Sequence, residues 1–228
     1  MATAIATAEM GIRNPETSQA RLVELGMLEQ LAYLKLAQQP DWLPDALSAV
    51  PSDVRPAIQN NFDALTAVAD LNPPVSNLPD WKIVKAPPPE QLRAYYSEAE
   101  RVFGVPWYYL AAIHFIETDF SRVASDSPAG AQGPMQFIPT TWAAYGQGDV
   151  HDTHDAILAA GHYLKASGAP GDMPRAIHSY NPDGRYVTAV MRYAANMQAD
   201  QRAFLGYYHW RVYVQTKQGA VFLNEPSG

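Results

Sequence analysis

A glutamate near the end of an apolar helical segment is the first side chain whose type and setting could support chemistry. Glu117 lies in the segment LAAIHFIETDF, after Ile113, His114 and Ile116 and before Phe120. Because apolar neighbours disfavour a carboxylate anion, they raise the pKa of such a carboxyl toward that of a general acid at neutral pH. Periodicity alone favours another interpretation, an exposed glutamate in a last helical turn, where its charge opposes the helix dipole.

A loop rich in small residues follows that helix. The segment SPAGAQGPMQF, residues 127–137, sets glycines around Pro134, Met135 and Gln136. Glycine lets a backbone approach a ligand closely, and the Gln136 amide offers both a donor and an acceptor to an N-acetyl group or a sugar hydroxyl. The loop is not a phosphate loop, because the pattern GxxxxGK[ST] is absent.

A tyrosine and an asparagine mark the end of a later helix, in the segment SYNPDGRYV. The hydroxyl of Tyr180 can reach a carboxyl group in a site from this position. Asn181 and Pro182 also form a helix stop, and that interpretation holds whether or not Tyr180 takes part in chemistry.

The three motifs occur in a fixed order: Glu117-Thr118, then GAQGPMQF from Gly130, then SYN at 179–181. In that order the chain resembles the SLT-type lytic transglycosylases of the lysozyme-like superfamily. GVPW at 104–107 and DAILAAGHYL at 155–164 make it similar to the actinobacterial type. The resemblance covers about residues 95–195. It departs from the family pattern at Thr118, where serine is usual, and at Pro134, where leucine is common.

The resemblance implies a mainly α, lysozyme-like fold, peptidoglycan glycan strands as the binding partner, and no cofactor or metal. It implies cleavage of the MurNAc–GlcNAc β-1,4 bond with formation of 1,6-anhydro-MurNAc ends. Glu117 would be the catalytic residue, and the substrate-binding residues would be Thr118, Ser127, Met135, Gln136, Phe137, Tyr180 and Asn181. Two alternatives stay open: a hydrolytic muramidase on the same fold, and a non-catalytic glycan-binding module of the cell wall.

Glycosidases generally use two carboxyl groups, whereas no partner for Glu117 stands at a matching motif position. We expect Asp119 and Asp126 to be solvated loop residues. The hypothesis is that Glu117 first acts as the acid and then as the base. It would protonate the glycosidic oxygen, while the substrate's N-acetyl group stabilises the oxocarbenium charge, and then deprotonate the C6 hydroxyl.

Two histidine patterns have simpler structural interpretations. HDTHD at 151–155 fits a helix start, with Asp152 as the N-cap and Asp155 near the positive helix end, better than a metal site. His114 shares a helix face with Glu117, and we interpret it as a hydrogen-bonded core histidine.

Composition limits the partners and the location. The net charge is -7, which argues against nucleic acid and against electrostatic docking on an anionic membrane. There are no cysteines and no apolar run of transmembrane length. The start of the chain shows neither a basic nor an apolar signal region, so the chain is either cytoplasmic or has lost an export signal. Because the implied substrate lies outside the membrane, we expect the signal to have been removed and the location to be the cell wall or extracellular space. The oligomeric state is expected to be a monomer.

Four segments are predicted. Residues 1–71 form an N-terminal helical extension, with helical periodicity from about residue 17. Residues 72–89 are Pro-rich and form an extended arm or linker, pinned by Trp81, Ile83 and Val84. Residues 90–200 form the helical catalytic domain, and residues 201–228 form a β-hairpin. Within the third segment, helices are predicted at 90–103, 106–118, 141–145, 152–166, 172–179 and 185–198.

Overall fold

The computed structural model describes residues 1–225 and is mainly helical, with a small C-terminal hairpin, as predicted. A 3-10 turn, Pro40–Trp42, precedes the helix that begins at Leu43. No helix within residues 1–225 is both long enough and apolar enough to cross a membrane. The helices are α1 Ala2–Arg13, α2 Gln19–Gln38, α3 Leu43–Ser48, α4 Arg55–Leu71, α5 Pro89–Phe103, α6 Trp107–Thr118, α7 Pro139–Tyr145, α8 Thr153–Ala166, α9 Met173–Tyr180, α10 Gly184–Ala199 and α11 Ala203–Tyr208. The strands β1 Tyr213–Thr216 and β2 Gly219–Phe222 pair antiparallel.

Capping residues explain where the helices around the candidate site begin and end. The Asp152 side chain accepts a hydrogen bond from the Asp155 N–H at 3.0 Å, and Asp172 accepts one from the Arg175 N–H at 3.1 Å. Both aspartates satisfy donors that a helix start leaves free. Gly104 ends α5 in the left-handed region, at φ 73°, where a residue without Cβ is favoured. These bounds confirm the helices predicted from periodicity.

Three helices, α1, α11 and the short α3, were not predicted. Helical periodicity was predicted only from about residue 17, yet Ile5, Ala8 and Ile12 are fully buried on one face of α1. Packing of that face stabilises a helix whose threonines and Gly11 have weak intrinsic propensity. The second is α11, which lies within the segment 201–228 predicted as hairpin. The hairpin itself begins only at Tyr213.

Helix α10 lies at the centre of the packing. Its buried face contacts α4 on one side and α6, the helix that carries Glu117, on the other. The N-terminal helices therefore contribute to the same hydrophobic core as the rest of the chain, with Tyr33 and Ile58 in one cluster with Ile113. The boundaries between residues 1–71, 72–89, 90–200 and 201–228 stay a prediction.

A buried polar network joins the N-terminal helices to α10 and α11. The Glu9 carboxylate is fully buried and accepts hydrogen bonds from Tyr33 and, at 2.9 Å, from the Asn61 amide. The Asn196 amide on α10 donates to Asn61 at 2.9 Å, across to α4. Because buried polar groups are costly unless partnered, this network fixes the relative positions of these helices.

The Pro-rich segment before α5, residues 72–88, is called the arm below. Val75 pairs with the hairpin, since its N–H donates to the Gln215 carbonyl at 3.0 Å. Further along, the Val84 N–H donates to the Arg122 carbonyl at 2.9 Å, and Ile83 forms an antiparallel bridge with Val123. The arm is thus extended and pinned at two places, and Ile83 and Val84 lie at one of them.

Candidate active site

Glu117 is the second-last residue of α6, and the chain turns sharply directly after that helix. Asp119, Phe120 and Ser121 all have positive φ, at 53°, 60° and 71°. Three successive non-glycine residues in the left-handed region carry a conformational cost, and such strain concentrates at functional sites. Phe120 is fully buried and Ser121 bonds to His114, which holds the turn in place.

The Glu117 carboxyl group accepts a hydrogen bond from the hydroxyl of Tyr186, at 2.5 Å between oxygens. Burial raises the pKa of Glu117 to about 7, although the bond from Tyr186 opposes that rise. Near neutral pH the carboxyl therefore exists in both protonation states. A group of this kind can donate a proton and take one back under the same conditions.

Tyr186, rather than Tyr180, is the tyrosine that bonds to Glu117. The Tyr180 hydroxyl donates instead to the Met135 carbonyl at 2.6 Å, so it ties the end of α9 to the loop. Tyr186 was missed because it lies outside the SYN motif, six residues after Tyr180. It begins the buried stripe of α10 with Ala189 and Tyr193, and a buried tyrosine hydroxyl normally has a partner. That rule is the signal that could have identified it.

The loop 127–137 is ordered by its own hydrogen bonds. The Ser127 hydroxyl accepts from the Ala131 N–H at 2.9 Å, and Gln132 and Phe137 exchange two backbone bonds of 2.9 Å. Gly133 has φ 69°, and a Cβ there would collide with the Val150 carbonyl oxygen, so the close approach requires glycine.

Gln136 has a left-handed backbone, at φ 49°, and its side-chain amide turns toward the protein. The amide nitrogen donates to the Gly133 carbonyl at 2.9 Å and, more weakly, to the Ser125 carbonyl at 3.4 Å. Both N–H groups of the Gln136 side-chain amide therefore help to order the loop. Its amide oxygen accepts no hydrogen bond from residues 1–225 and so remains able to accept one from a ligand.

Three residues predicted to bind substrate are buried instead. Thr118, Met135 and Phe137 are 1%, 0% and 2% exposed. The Met135 side chain lies in the hydrophobic core, and the Phe137 ring packs against Tyr180 with centroids 5.8 Å apart. These side chains offer a ligand almost no surface in this conformation, and their assignment to the substrate stays a prediction. Their packing places the loop beside Glu117.

Thr118 connects α6 to the loop through its hydroxyl. The Oγ1 atom donates to the Pro134 carbonyl at 2.6 Å and accepts from the Ser121 N–H at 3.2 Å. The backbone of the loop is therefore held next to the residue that follows Glu117.

Replacing Thr118 by valine is expected to lower the free energy of unfolding by about 1–3 kcal/mol, because the Pro134 carbonyl and the Ser121 N–H then lose their hydrogen-bond partner. Thr118→Ser keeps the hydroxyl and is the matched control. Denaturant titration of both variants measures the difference. Equal stabilities would show that the two hydrogen bonds do not hold the loop.

Four of the predicted substrate-binding residues remain accessible. Ser127, Gln136, Tyr180 and Asn181 are half-buried, and Asn181 ends α9 with its N–H bonded to the Ile177 carbonyl at 3.1 Å. The loop and the end of α9 meet through the bond from Tyr180 to Met135. These four residues stay candidates for ligand contact.

The neighbouring aspartates differ from each other. Asp119 was expected to be solvated, but burial raises its pKa to about 7, and it lies 3.9 Å from Arg122. Burial, and then the charge of Asp119, raise the pKa of Tyr213 in the hairpin to about 12, which places Asp119 on the hairpin side. Asp126 is half-exposed and accepts from the Gly133 N–H at 3.2 Å. Neither carboxyl group bonds to Glu117 within the described residues.

The histidines have structural roles. His114 is fully buried between the Tyr96 hydroxyl at 2.7 Å and the Ser121 hydroxyl at 2.8 Å. Burial lowers its pKa to about 3, so it is neutral, and the interpretation as a core histidine is confirmed. His154 bonds to Glu98 at 2.9 Å and so links α8 to α5.

Asp152, His154 and Asp155 bring one potential metal-ligand atom each within 4.8 Å of the others. Asp152 caps α8, however, and Asp155 accepts from the Asp149 N–H at 3.0 Å. The interpretation of this motif as a helix start is confirmed.

Comparison with known proteins agrees with this geometry. The family model described as "Transglycosylase SLT domain" matches residues 94–202, from α5 to the residue before α11. A relative named membrane-bound lytic murein transglycosylase F, from Thiobacillus denitrificans, is 34% identical over 73 residues, or 32% of this chain. Those residues span only 15% of that relative's length. No solved structure matches. The narrower actinobacterial resemblance stays a prediction. Residues 94–202, which include Glu117 near the end of α6, thus match the transglycosylase SLT domain.

Proposed function

We propose that this chain is a peptidoglycan lytic transglycosylase that cleaves the MurNAc–GlcNAc β-1,4 bond, with Glu117 as its single catalytic acid and base. The observation that carries the proposal is the Glu117 carboxyl group, with a pKa of about 7, beside a strained turn and an ordered loop. The match of residues 94–202 to the SLT domain supports the substrate class.

The reaction uses one carboxyl group at two moments. Protonated Glu117 donates to the glycosidic oxygen, and the bond from MurNAc C1 to that oxygen breaks. The carbonyl oxygen of the substrate's own N-acetyl group stabilises the positive charge at C1, a task that a second carboxylate performs in most glycosidases. Ionised Glu117 then takes the proton of the C6 hydroxyl, whose oxygen bonds to C1. The 1,6-anhydro ring closes, and Glu117 is protonated again.

The surrounding residues support this reaction in different ways. Tyr186 orients the Glu117 carboxyl and is a positioning residue. We assign Ser127, Gln136, Tyr180 and Asn181 to the substrate, because they lie in the loop or at the end of α9 beside it and remain accessible. Peptidoglycan lies outside the cytoplasmic membrane, so we propose that the protein acts in the cell wall or periplasm.

Mass spectrometry of digested peptidoglycan tests the proposal, with the Glu117→Gln variant as the blank. We expect muropeptides one water lighter than hydrolytic products, and none in the blank. Products with free reducing ends would instead make the protein a hydrolytic muramidase that uses the same glutamate. Binding of glycan by both proteins without any product would identify a glycan-binding module.

Tyr186→Phe is expected to move the alkaline limb of the pH–rate profile to higher pH. The general acid must be protonated, so activity falls as the pH rises through the pKa of Glu117, near 7. The Tyr186 hydrogen bond lowers that pKa, and its loss raises it. We also expect kcat to fall by about tenfold, because the carboxyl loses its orienting partner.

Tyr180→Phe is the matched control, since the Tyr180 hydroxyl bonds to Met135 and not to Glu117. The alkaline limb of this variant should coincide with that of the unchanged protein. If the alkaline limb moves in Tyr180→Phe but not in Tyr186→Phe, the assignment is wrong, because Tyr180 rather than Tyr186 then lowers the pKa of Glu117.

A further inference from the structure

The arm lies outside residues 94–202 and yet borders the loop assigned to the substrate. The Lys82 N–H donates to the Ser125 hydroxyl at 2.8 Å, and the Lys82 carbonyl accepts from the Ala124 N–H at 2.9 Å. The Ser125 carbonyl in turn accepts a hydrogen bond from the side-chain amide of Gln136. A short series of hydrogen bonds therefore runs from the arm through Ser125 to Gln136.

The arm exposes apolar side chains beside this point. Trp81, directly before Lys82, is 37% exposed, and Leu78 is 48% exposed. An exposed indole offers a flat apolar face and an N–H donor, the combination that binds a sugar ring. Single exposed apolar residues need no explanation, but this one is fixed by its neighbour's backbone next to the loop.

The arm also carries a small positive charge in an acidic protein, from two lysines against one acid, Asp80. Lys82 and Lys85 are exposed, and they are two of the chain's five lysines, against a net charge of -7. No ion pair found within residues 1–225 involves either ammonium group. The peptides of peptidoglycan carry free carboxylates. An acidic protein needs local cations of this kind to hold such a polymer.

We propose that the arm is an additional binding site for the peptidoglycan strand, in which Trp81 stacks on a sugar ring and Lys82 pairs with a stem-peptide carboxylate. The inference rests on the proposed function, because it takes the loop 127–137 as part of the glycan site. A polymer that lies along Ser127 and Gln136 extends past the edge of that loop. The arm forms that edge, so sugars remote from the cleaved bond reach Trp81.

The test measures binding separately from cleavage, in a Glu117→Gln background. Sedimentation with insoluble peptidoglycan gives the dissociation constant, and soluble peptide-free oligomers of N-acetylglucosamine separate the two contacts. We expect Trp81→Ala to raise the dissociation constant about three- to tenfold for peptidoglycan and for long oligomers. Oligomers too short to leave the loop should be unaffected, and Trp81→Tyr should retain most of the affinity.

Lys82→Glu keeps the backbone bonds of the arm and reverses one charge. It should weaken binding of peptidoglycan and leave binding of peptide-free oligomers unchanged. The matched controls are Trp42→Ala, at 38% exposure in the turn before α3, and Lys35→Glu on α2. Neither control should change either affinity.

Equal dissociation constants for Trp81→Ala and Trp42→Ala would overturn the proposal, as would a parent protein that binds neither polymer. Cleavage by the unchanged enzyme is assayed independently. If that enzyme does not cleave but the arm variants bind more weakly, the arm site stands and the catalytic assignment falls. If it cleaves and the arm variants bind normally, only the arm site falls.

Discussion

Glu117→Gln is expected to reduce kcat on peptidoglycan by about 10³-fold or more, with KM nearly unchanged. General acid–base catalysis contributes about 10²–10⁴-fold in rate, and here one residue would supply both the acid and the base. Glutamine has the same shape and still accepts the hydrogen bond from Tyr186, so the site should keep its geometry. Initial rates on soluble glycan strands near pH 6 measure the effect.

Asp119→Asn is the matched control for that experiment. Asp119 lies two residues away, and burial also raises its pKa to about 7, but it lies beside Arg122 on the hairpin side. We expect this variant to keep kcat within a few-fold of the unchanged protein. An equal loss in both variants would remove Glu117 from its role as the single catalytic carboxyl.

Glu117→Gln, which should lower kcat, is expected to raise the stability of the fold at alkaline pH. The pKa of Glu117 is raised to about 7 in the fold from 4.5, so its favourable contribution is complete below pH 4.5. That contribution is lost as the pH rises through 7. Glu117→Gln cannot ionise and should melt above the unchanged protein at pH 8. A lower Tm at pH 8 would show that the carboxylate is well accommodated.

Trp210→Ala is expected to lower the free energy of unfolding by about 3–5 kcal/mol. Trp210 is 3% exposed and packs edge-on against Phe115 and Tyr207, with ring centroids 5.6 Å and 5.7 Å apart. Its indole N–H donates to the buried Glu29 carboxylate at 2.8 Å. Removing the ring leaves both a cavity and a buried carboxyl group without that partner.

Chemical denaturation at a fixed pH measures this change, with two comparisons. Trp210→Phe retains most of the volume and should lose about 1–3 kcal/mol, the part due to the unpartnered Glu29. Trp42→Ala, at 38% exposure, should stay within about 0.5 kcal/mol of the unchanged protein. A Trp210→Ala effect as small as that of Trp42→Ala would mean that the aromatic cluster around Phe115 repacks without cost.

Much of the fold followed from local patterns. Helix starts at Asp152 and Asp172 and the stop at Gly104 are determined by backbone groups within a few residues, so sequence alone can identify them. Helix α1 lacks such signals: its N-cap makes no side-chain hydrogen bond, and its stability comes from burial of Ile5 and Ile12 against other helices. Contacts of that kind are decided by tertiary packing.

In the candidate site, too, some residues could be predicted from the sequence and others could not. Glu117 was identifiable because it stands first in an ordered series of motifs, 117–118, 130–137 and 179–181, that resembles a known family. The partner Tyr186 was not, since its bond to Glu117 crosses 69 residues and depends on how α10 packs against α6. Thr118 and Met135 lie within recognisable motifs, yet motif letters do not show which way a side chain turns. Both turn inward, where they hold the loop.

The contacts of α10 with both α4 and α6 bear on how the segment 94–202 can be moved between proteins. A domain that folds after transfer to another protein must itself contain the contacts that stabilise it. Here α10, which supplies Tyr186, also packs on α4, and Phe115 packs on Trp210. Both α4 and Trp210 lie outside residues 94–202. A chimera built from that segment alone would expose an apolar face of α10. We therefore expect a stable graft to need α4 and Trp210 in addition to residues 94–202.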